Sequence, residues 1–434
     1  MQKDQNAILR KLGIPGLNPM QREAILSIRK QSEIILLSPT GSGKTLAFLL
    51  PLLAELDPAI TAVQALILVP SRELAIQIEQ VAREMGSGFK VNAIYGGRST
   101  VKDKKELQHP PTILIGTPGR VADHLRRETF TIDQIRHLVL DEFDKSLETG
   151  FEKDMTAIVR ALPNLQKKIL TSATEKVAIP DFVGLIDPIR LDYLQQSTPQ
   201  IQLRLVEAPK GEKLLHLKKL LGDLGDKRGI IFCNFKDSIQ VLSDYLDEQE
   251  IVHTCFFGGL EQVDRERSLI KFRNETHRLL VATDLAARGI DVPELDFIIH
   301  YELPTRADEF VHRNGRTARM QQDGTVFLLR EHQERIPEFI EGAVPIQISE
   351  SQTIPNPKKE TLFISGGRGD KISKGDIVGL FLKQGGLKPQ ELGTIELKQD
   401  CAFVAVPKSK ARQLAKDLNN TRLKKKKVRI RILD

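Results

Sequence analysis

Short apolar runs recur along the chain, most of them about 20 to 35 residues apart, with amphipathic segments such as Arg72–Glu84 between them. This rhythm constrains the fold more than any other feature. A run buried on both faces has no polar alternation, and a helical crossover between runs makes neighbouring strands parallel. Ile34–Leu37, Ala65–Val69, Val91–Tyr95, Thr112–Ile115, Leu138–Leu140 and Lys168–Leu170 form a first series of predicted strands. Leu203–Glu207, Gly229–Cys233, Arg278–Ala282, Phe297–His300 and Thr325–Leu329 form a second. The last seventy-odd residues change pattern: strand Leu362–Ser365, helix Lys374–Gln384, strands Thr394–Leu397 and Ala402–Val406, helix Ser409–Asn419 and strand Val428–Leu433. That β-α-β-β-α-β order is the split βαβ of RRM-type domains. The expected fold class is therefore α/β: two tandem parallel-sheet domains over 1–195 and 200–341, a Pro-interrupted linker over 342–360, and a small α+β RRM-like domain over 361–434.

Charge is divided along the same lines. The chain has 64 Lys and Arg against 57 Asp and Glu, a net +7, yet Thr361–Asp434 alone holds 17 basic and 7 acidic residues, +10. The remainder, with 47 basic and 50 acidic residues, carries −3. An excess so localised points to a polyanionic partner. No run of eighteen apolar residues is present, so no membrane span is expected. The three cysteines, Cys233, Cys255 and Cys401, are widely spaced, which fits reduced thiols and a cytoplasmic setting.

Two motifs define a nucleotide triphosphatase. Ser38-Pro39-Thr40-Gly41-Ser42-Gly43-Lys44-Thr45 follows a strand and opens an apolar helix. Backbone N–H groups of such a loop and the positive end of the helix cradle phosphates. Lys44 is expected to reach the β and γ phosphates and the Thr45 hydroxyl to ligate Mg²⁺. Leu138–Leu140 ends in Asp141 and Glu142. A carboxylate at a strand tip beside such a loop is placed to hold Mg²⁺, which suits Asp141, and Glu142 to polarise the attacking water. The second series has no phosphate loop and ends in His312-Arg-Asn-Gly-Arg-Thr-Ala-Arg319. Arginines at that spacing are either a solvated helix face or fingers for the γ phosphate, and fingers on a separate domain would make hydrolysis depend on domain closure.

The ordered set of motifs resembles the DEAD-box RNA helicases over essentially the first 340 residues, which implies a RecA-like fold for each of the two parallel-sheet domains. Gln21 matches the adenine-reading glutamine, Ser38–Thr45 the phosphate loop, and Pro70–Ala75 motif Ia. Gly96-Gly97 and Thr117–Arg120 match RNA-backbone elements, Asp141–Asp144 the box itself, and Ser172–Thr174 the coupling motif. Ile231–Asn234, Gln262–Arg265, Ala282–Asp291 and His312–Arg319 match the motifs of the second lobe. The resemblance implies ATP and Mg²⁺ as cofactors, Asp291 on the ribose, Arg316 and Arg319 as fingers, and Arg72, Gly97, Thr117, Arg120, Arg265 and Thr283 on the RNA backbone. Three departures stand out. Phe143 replaces an alanine, Leu17-Asn18 replaces Pro-Thr before Gln21, and Asn314 and Ala318 replace an apolar residue and a glycine.

The last segment, through Thr361–Ile377, Val404–Val406 and Arg422–Ile432, resembles the RNA-binding domain of DbpA-type helicases. That implies a monomer acting on 23S ribosomal RNA in pre-50S particles, with Lys424, Lys425, Lys426 and Lys427 neutralising phosphates. Phe363 and Phe403 occupy positions where RRM strands show base-stacking aromatics, although core packing accounts for them equally well. The residues alone leave two other readings, a DNA translocase and a non-enzymatic RNA-binding scaffold. Intact Lys44, Asp141, Glu142, Arg316 and Arg319 argue against the second.

Overall fold

The computed structural model describes residues 5–433 except 40, 175–177, 195–200, 284–291, 293–294, 316, 318–323 and 350–352. The described residues form two compact units, 5–194 and 201–433.

The first unit is a seven-stranded parallel sheet of β1 (Glu33–Leu37), β2 (Ala65–Leu68), β3 (Val91–Ile94), β4 (Ile113–Gly116), β5 (His137–Leu140), β6 (Lys167–Ser172) and β7 (Ile189–Asp192), in the order β3-β4-β2-β5-β6-β1-β7. Period two explains the burial. In β2, Ala65 and Ile67 face the cluster built on helices Pro19–Lys30, Lys44–Glu55 and Arg72–Met85. Leu66 and Leu68 face the opposite cluster, under helices Pro118–Arg126 and Glu152–Ala161. Every residue of β2 is buried, so the strand reads as an unbroken apolar run. Phe143 sits in the second cluster at 2% exposure.

The second unit repeats the architecture with β8 (Ile201–Ala208), β9 (Gly229–Cys233), β10 (His253–Phe256), β11 (Leu279–Thr283), β12 (Phe297–His300), β13 (Gly324–Glu331) and β14 (Val344–Pro345), ordered β10-β11-β9-β12-β13-β8-β14. Three strands of the two large sheets went unread in the sequence. β7 (Ile-Arg-Leu-Asp) alternates charged residues as an edge strand does, β10 (His-Thr-Cys-Phe) is too polar for a core run, and β14 is two residues long. Part of the stretch expected to be a linker over 342–360 lies on the sheet. Val344–Pro345 pairs with β8, the Ile346 N–H donates to Leu205 O at 2.9 Å, and Ile346, Ile348 and Ile354 pack on the core.

The last residues form a separate antiparallel sheet of β15 (Lys359–Ile364), β16 (Ile395–Leu397), β17 (Ala402–Pro407) and β20 (Ile430–Ile432), ordered β16-β17-β15-β20. That is the strand order of a split βαβ fold, with the small hairpin β18 (Arg422–Leu423) and β19 (Lys426–Lys427) before the last strand. The expected helix Lys374–Gln384 is α-helical to Gly379 and then widens into a π turn over Leu380–Gln384. Among the described residues no helix is long and apolar enough to cross a membrane.

The open face of this small sheet rests on the second motor domain. Phe403 and Leu433 bury against Ile270 of helix Gln262–Arg273, with Phe363 and Cys401 around them. The Glu396 carboxylate receives two hydrogen bonds from Arg273, Nε to Oε1 at 2.7 Å and Nη2 to Oε2 at 2.8 Å. Buried Thr361 pairs with Asn274 at 3.1 Å and Thr276 at 2.6 Å. Phe363 meets Phe403 edge-on at 5.7 Å and lies under the Arg431 guanidinium. Of the two uses the sequence left open for these aromatics, the structure shows packing.

Candidate nucleotide and RNA site

Parallel sheets bind ligands beyond the carboxyl ends of their strands. In the first unit the adjacent strands β5, β6 and β1 deliver Asp141–Glu142, Ser172–Thr174 and the loop after Leu37 to one edge. Gly41 and Gly43 adopt φ of +82° and +88°, which a side chain would strain. A Cβ on Gly43 would also lie 2.3 Å from the Gln21 amide nitrogen. Lys44 opens the helix with its ammonium folded onto the loop, at 2.5 Å from Ser38 O and 3.1 Å from Pro39 O. Ser38 Oγ donates to Ser42 Oγ at 2.7 Å, and Thr45 stands in the first turn, half-buried. Thr40, Asp291, Arg316 and Arg319 lie outside the described residues.

Gln21 is tied to this loop. Its side chain accepts from the Asn18 N–H and donates to Gly43 O at 3.2 Å, while Asn18 caps the helix through the Gln21 N–H at 2.8 Å and donates to Ser42 O at 2.9 Å. Asn18 thus forms a capping box with Gln21, and their spacing, Asn-x-x-Gln, was a legible capping signal.

Asp141 is buried at 3% exposure. Its Oδ1 accepts from the Thr171 hydroxyl and from the Glu142 N–H at 3.1 Å. Burial raises its pKa, against the opposing hydrogen bond from Thr171 and the Lys44 charge. A carboxylate held this way gains from a cation beside it, and with the Thr45 hydroxyl it is an all-oxygen donor pair, the chemistry Mg²⁺ takes together with phosphate oxygens. Glu142 has φ of +47°, unusual for a non-glycine residue, at the turn from β5 into helix Phe143–Glu148. Thr174 donates to Asp144 Oδ2 at 2.9 Å and is braced by Ser172, so the coupling motif grips the box directly. Thr171 carried no sequence signal, since a threonine inside a strand is ordinary.

The RNA-facing candidates occupy the same end of the sheet on β2, β3 and β4. Arg72 starts helix Arg72–Met85, and Gly97, with φ of +83°, lies against it. Thr117 caps helix Pro118–Arg126 and is buried at 7%. Arg120 turns inward, its side chain 12% exposed and bonded to Asp103 and Arg98 O. In the second unit Arg265 packs over the Phe256 ring at 4.9 Å, and Thr283 ends β11, half-exposed. Arg313, at 2% exposure, donates to Asn234 Oδ1 at 2.8 Å and Glu302 O at 3.1 Å and stacks on Phe232. Asn314 accounts for its own departure: its Oδ1 is 2.9 Å from Nε2 of the fully buried His300. In the C-terminal domain Lys424 pairs with Asp376 at 3.0 Å and Lys426 with Asp370 at 2.7 Å, while Lys425 and Lys427 are exposed.

Comparison with known proteins agrees with this geometry. The DEAD/DEAH box helicase family model matches residues 18–181, the helicase conserved C-terminal domain 212–321, and the DbpA RNA binding domain 361–432. ATP-dependent RNA helicase DbpA of Escherichia coli is 33% identical over 98% of this chain and 96% of its own. That of Bacillus subtilis is 30% identical over 97% and 96%. Among solved structures, DEAD-box helicase Mss116 bound to single-stranded RNA and UDP-BeF superposes with a TM-score of 0.69 at 25% identity, over 81% of this chain and 79% of that one. Saccharomyces cerevisiae Dbp5 bound to RNA and ADP-BeF₃ gives 0.62 at 27% identity, over 75% and 90%. A phosphate loop, a carboxylate box and a coupling motif on one sheet edge, carried in a chain 30–33% identical to the two DbpA helicases over 97–98% of its length, place the protein in the DbpA group of DEAD-box ATP-dependent RNA helicases, whose ATP hydrolysis is stimulated by RNA.

Proposed function

We propose that this helicase remodels a hairpin region of 23S ribosomal RNA during assembly of the large ribosomal subunit, as a cytoplasmic monomer acting on pre-50S particles. One observation carries the reading. The basic excess of the chain, +10 over 361–434, is confined to the segment whose residues 361–432 match the DbpA RNA-binding domain, behind a motor with no basic excess. Affinity for RNA then resides in the small domain and turnover in the motor, since phosphate neutralisation dominates nucleic-acid binding.

In this reading Gln21 reads adenine, and the loop 38–45 with Lys44 holds the phosphates. Thr45 and Asp141 hold Mg²⁺, which when bound neutralises charge developing on the phosphates. Glu142 polarises the attacking water, Asp291 binds the ribose, and Arg316 and Arg319 stabilise the transferring phosphoryl group. Arg72, Gly97, Thr117, Arg265 and Thr283 meet the RNA backbone, whose contacts position without reading sequence. Arg120 serves the same surface from inside, because its guanidinium is already spent on Asp103 and Arg98 O. With the small sheet packed on the motor, recognition in the C-terminal domain falls to loops and to the exposed Lys425 and Lys427.

The test is ATPase stimulation of the full chain by a hairpin fragment of 23S ribosomal RNA against an unrelated hairpin of equal length. Half-saturation at a far lower concentration of the ribosomal fragment is expected. Equal stimulation by both would end the ribosomal assignment.

A further inference from the structure

The first unit buries a carboxylate that the nucleotide site does not use. Asp103, in the first turn of helix Thr100–Leu107, has a side chain 0% exposed and is met by three basic groups. Arg98 Nε is 3.1 Å from its Oδ1. Arg120 donates to Oδ2 through Nε at 2.9 Å and Nη2 at 2.6 Å, and His124 Nε2 is 3.3 Å from the same oxygen. These groups come from two backbone segments. Arg98 directly follows Gly96-Gly97 beyond β3, whereas Arg120 and His124 lie in the helix that Thr117 caps beyond β4.

Secondary contacts close the structure. Arg98 Nη1 donates to Ala93 O at 2.8 Å, its Nη2 reaches Glu106, and its carbonyl accepts from Arg120 Nη2 at 3.0 Å. Gly97 is held so tightly against Arg72 that a Cβ would lie 2.6 Å from Arg72 Nη1. The anion is thus joined to Gly97 through the adjoining Arg98, to Arg72 through its packing on Gly97, and to Thr117 through the helix that carries Arg120. Burial pushes the Asp103 carboxyl up, but hydrogen bonds from His124 and Arg120 and the charge of Arg98 pull it below the usual carboxylate range, so it is ionised at neutral pH.

A buried ion cluster is a poor way to gain stability, because desolvation offsets most of the attraction. It is an effective way to fix geometry, since each partner is held at a defined distance and direction. We infer that Asp103 is a positioning residue for RNA: its carboxylate locks the Gly96–Arg98 turn and the Thr117–Arg120 turn into one preformed surface for the RNA backbone. Without it, the two turns must be ordered by the RNA itself, and that ordering is subtracted from affinity. The inference rests on the assignment of Arg72, Gly97 and Thr117 to the RNA backbone.

The experiment measures RNA-stimulated ATPase for Asp103→Asn, which keeps the shape and loses the charge, with ATP binding in the absence of RNA as a second readout. Arg98→Met removes the tether of the glycine turn while keeping its aliphatic stem, and decides the matter if Asp103→Asn is insoluble. Arg72→Ala reports on the RNA surface itself. Half-saturating RNA is expected to rise about tenfold in Asp103→Asn and Arg98→Met, the cost of one charge-assisted contact, with turnover at saturating RNA and ATP affinity close to the parent. If neither variant moves half-saturation while Arg72→Ala raises it, Asp103 has no positioning role and the RNA surface stands. If all three leave it unchanged, both readings fall. A parallel loss of ATP affinity and saturated turnover would mark Asp103 as a general stabiliser and overturn the inference.

Discussion

Reversing the charge of Glu396 is expected to release the C-terminal domain from the motor. The carboxylate and its partner Arg273 have side chains 14% and 22% exposed and share a two-point contact at 2.7 and 2.8 Å. Exposed pairs contribute under about 1 kcal/mol and fully buried ones cost about 3–5 kcal/mol to break, so this half-covered pair contributes about 2 kcal/mol to docking. Glu396→Arg forfeits that and adds repulsion, raising the undocked fraction at least about thirtyfold. Cys401 reports it, because it packs at the edge of the interface and burial, followed by the charge of Asp400, pushes its thiol up to about 12. In a Cys255→Ala background, with Cys233 fully buried, labelling by a thiol reagent should accelerate by up to the same factor. Arg273→Glu combined with Glu396→Arg should restore the slow rate. Parent-like labelling in Glu396→Arg would show that the pair does not hold the domain, and unchanged fast labelling in the double variant would show that the effect was not electrostatic.

Three further outcomes follow from the site and its departures. Glu142→Gln should retain ATP binding, measured by equilibrium titration, while hydrolysis falls by roughly a hundredfold or more; parent-like turnover would remove Glu142 from the mechanism. Phe143→Ala, which restores the family's usual residue, should lower the stability of the motor by about 3–5 kcal/mol in urea unfolding, because a ring at 2% exposure leaves a cavity. An unchanged midpoint would mean the box helix repacks freely. Burial, followed by the Arg313 charge, lowers His300 to about 3 against an ordinary 6.5. The unfolded chain therefore takes up a proton that the folded chain refuses, and stability present above pH 6.5 is lost as pH falls toward 3, by up to about 1.4 kcal/mol per pH unit. The double variant His300→Leu, Asn314→Leu should flatten the decline in thermal midpoint below pH 6.5; an unaltered slope would assign the acid sensitivity elsewhere.

Much of the fold was legible because parallel strands covered on both faces leave little choice of residue. Ala65–Leu68 and Gly229–Cys233 are buried throughout and stand out as apolar runs. β7 and β10 lacked that signature, one being a half-exposed edge strand and the other carrying His253 and Thr254 inside. The candidate nucleotide site was legible in its motifs, since phosphate chemistry demands glycines, a lysine and a hydroxyl in close succession. Its supports were not. Thr171 lies 30 residues from Asp141 and Asp103 lies 17 from Arg120, and neither residue type is unusual where it stands.

The domain division that charge suggests is incomplete in physical terms, and this bears on how RNA is delivered to the motor. A domain with its own core of Leu362, Ile377, Phe381 and Val404 needs no partner to bury its interior. Yet its sheet face covers Ile270, and the stretch before it is laid along β8. Cutting at Thr361 would thus uncover Ile270 and strip Arg273, Asn274 and Thr276 of partners, so a truncated motor differs from the parent in more than lost affinity. Helix Gln262–Arg273 presents Arg265 near its first turn and receives the small domain at its last, about 12 Å farther along at 1.5 Å per residue. A rigid element of that length makes RNA held by the C-terminal domain a fixed neighbour of the second motor domain. In the proposed reading, recognition and remodelling are set in register by this one helix.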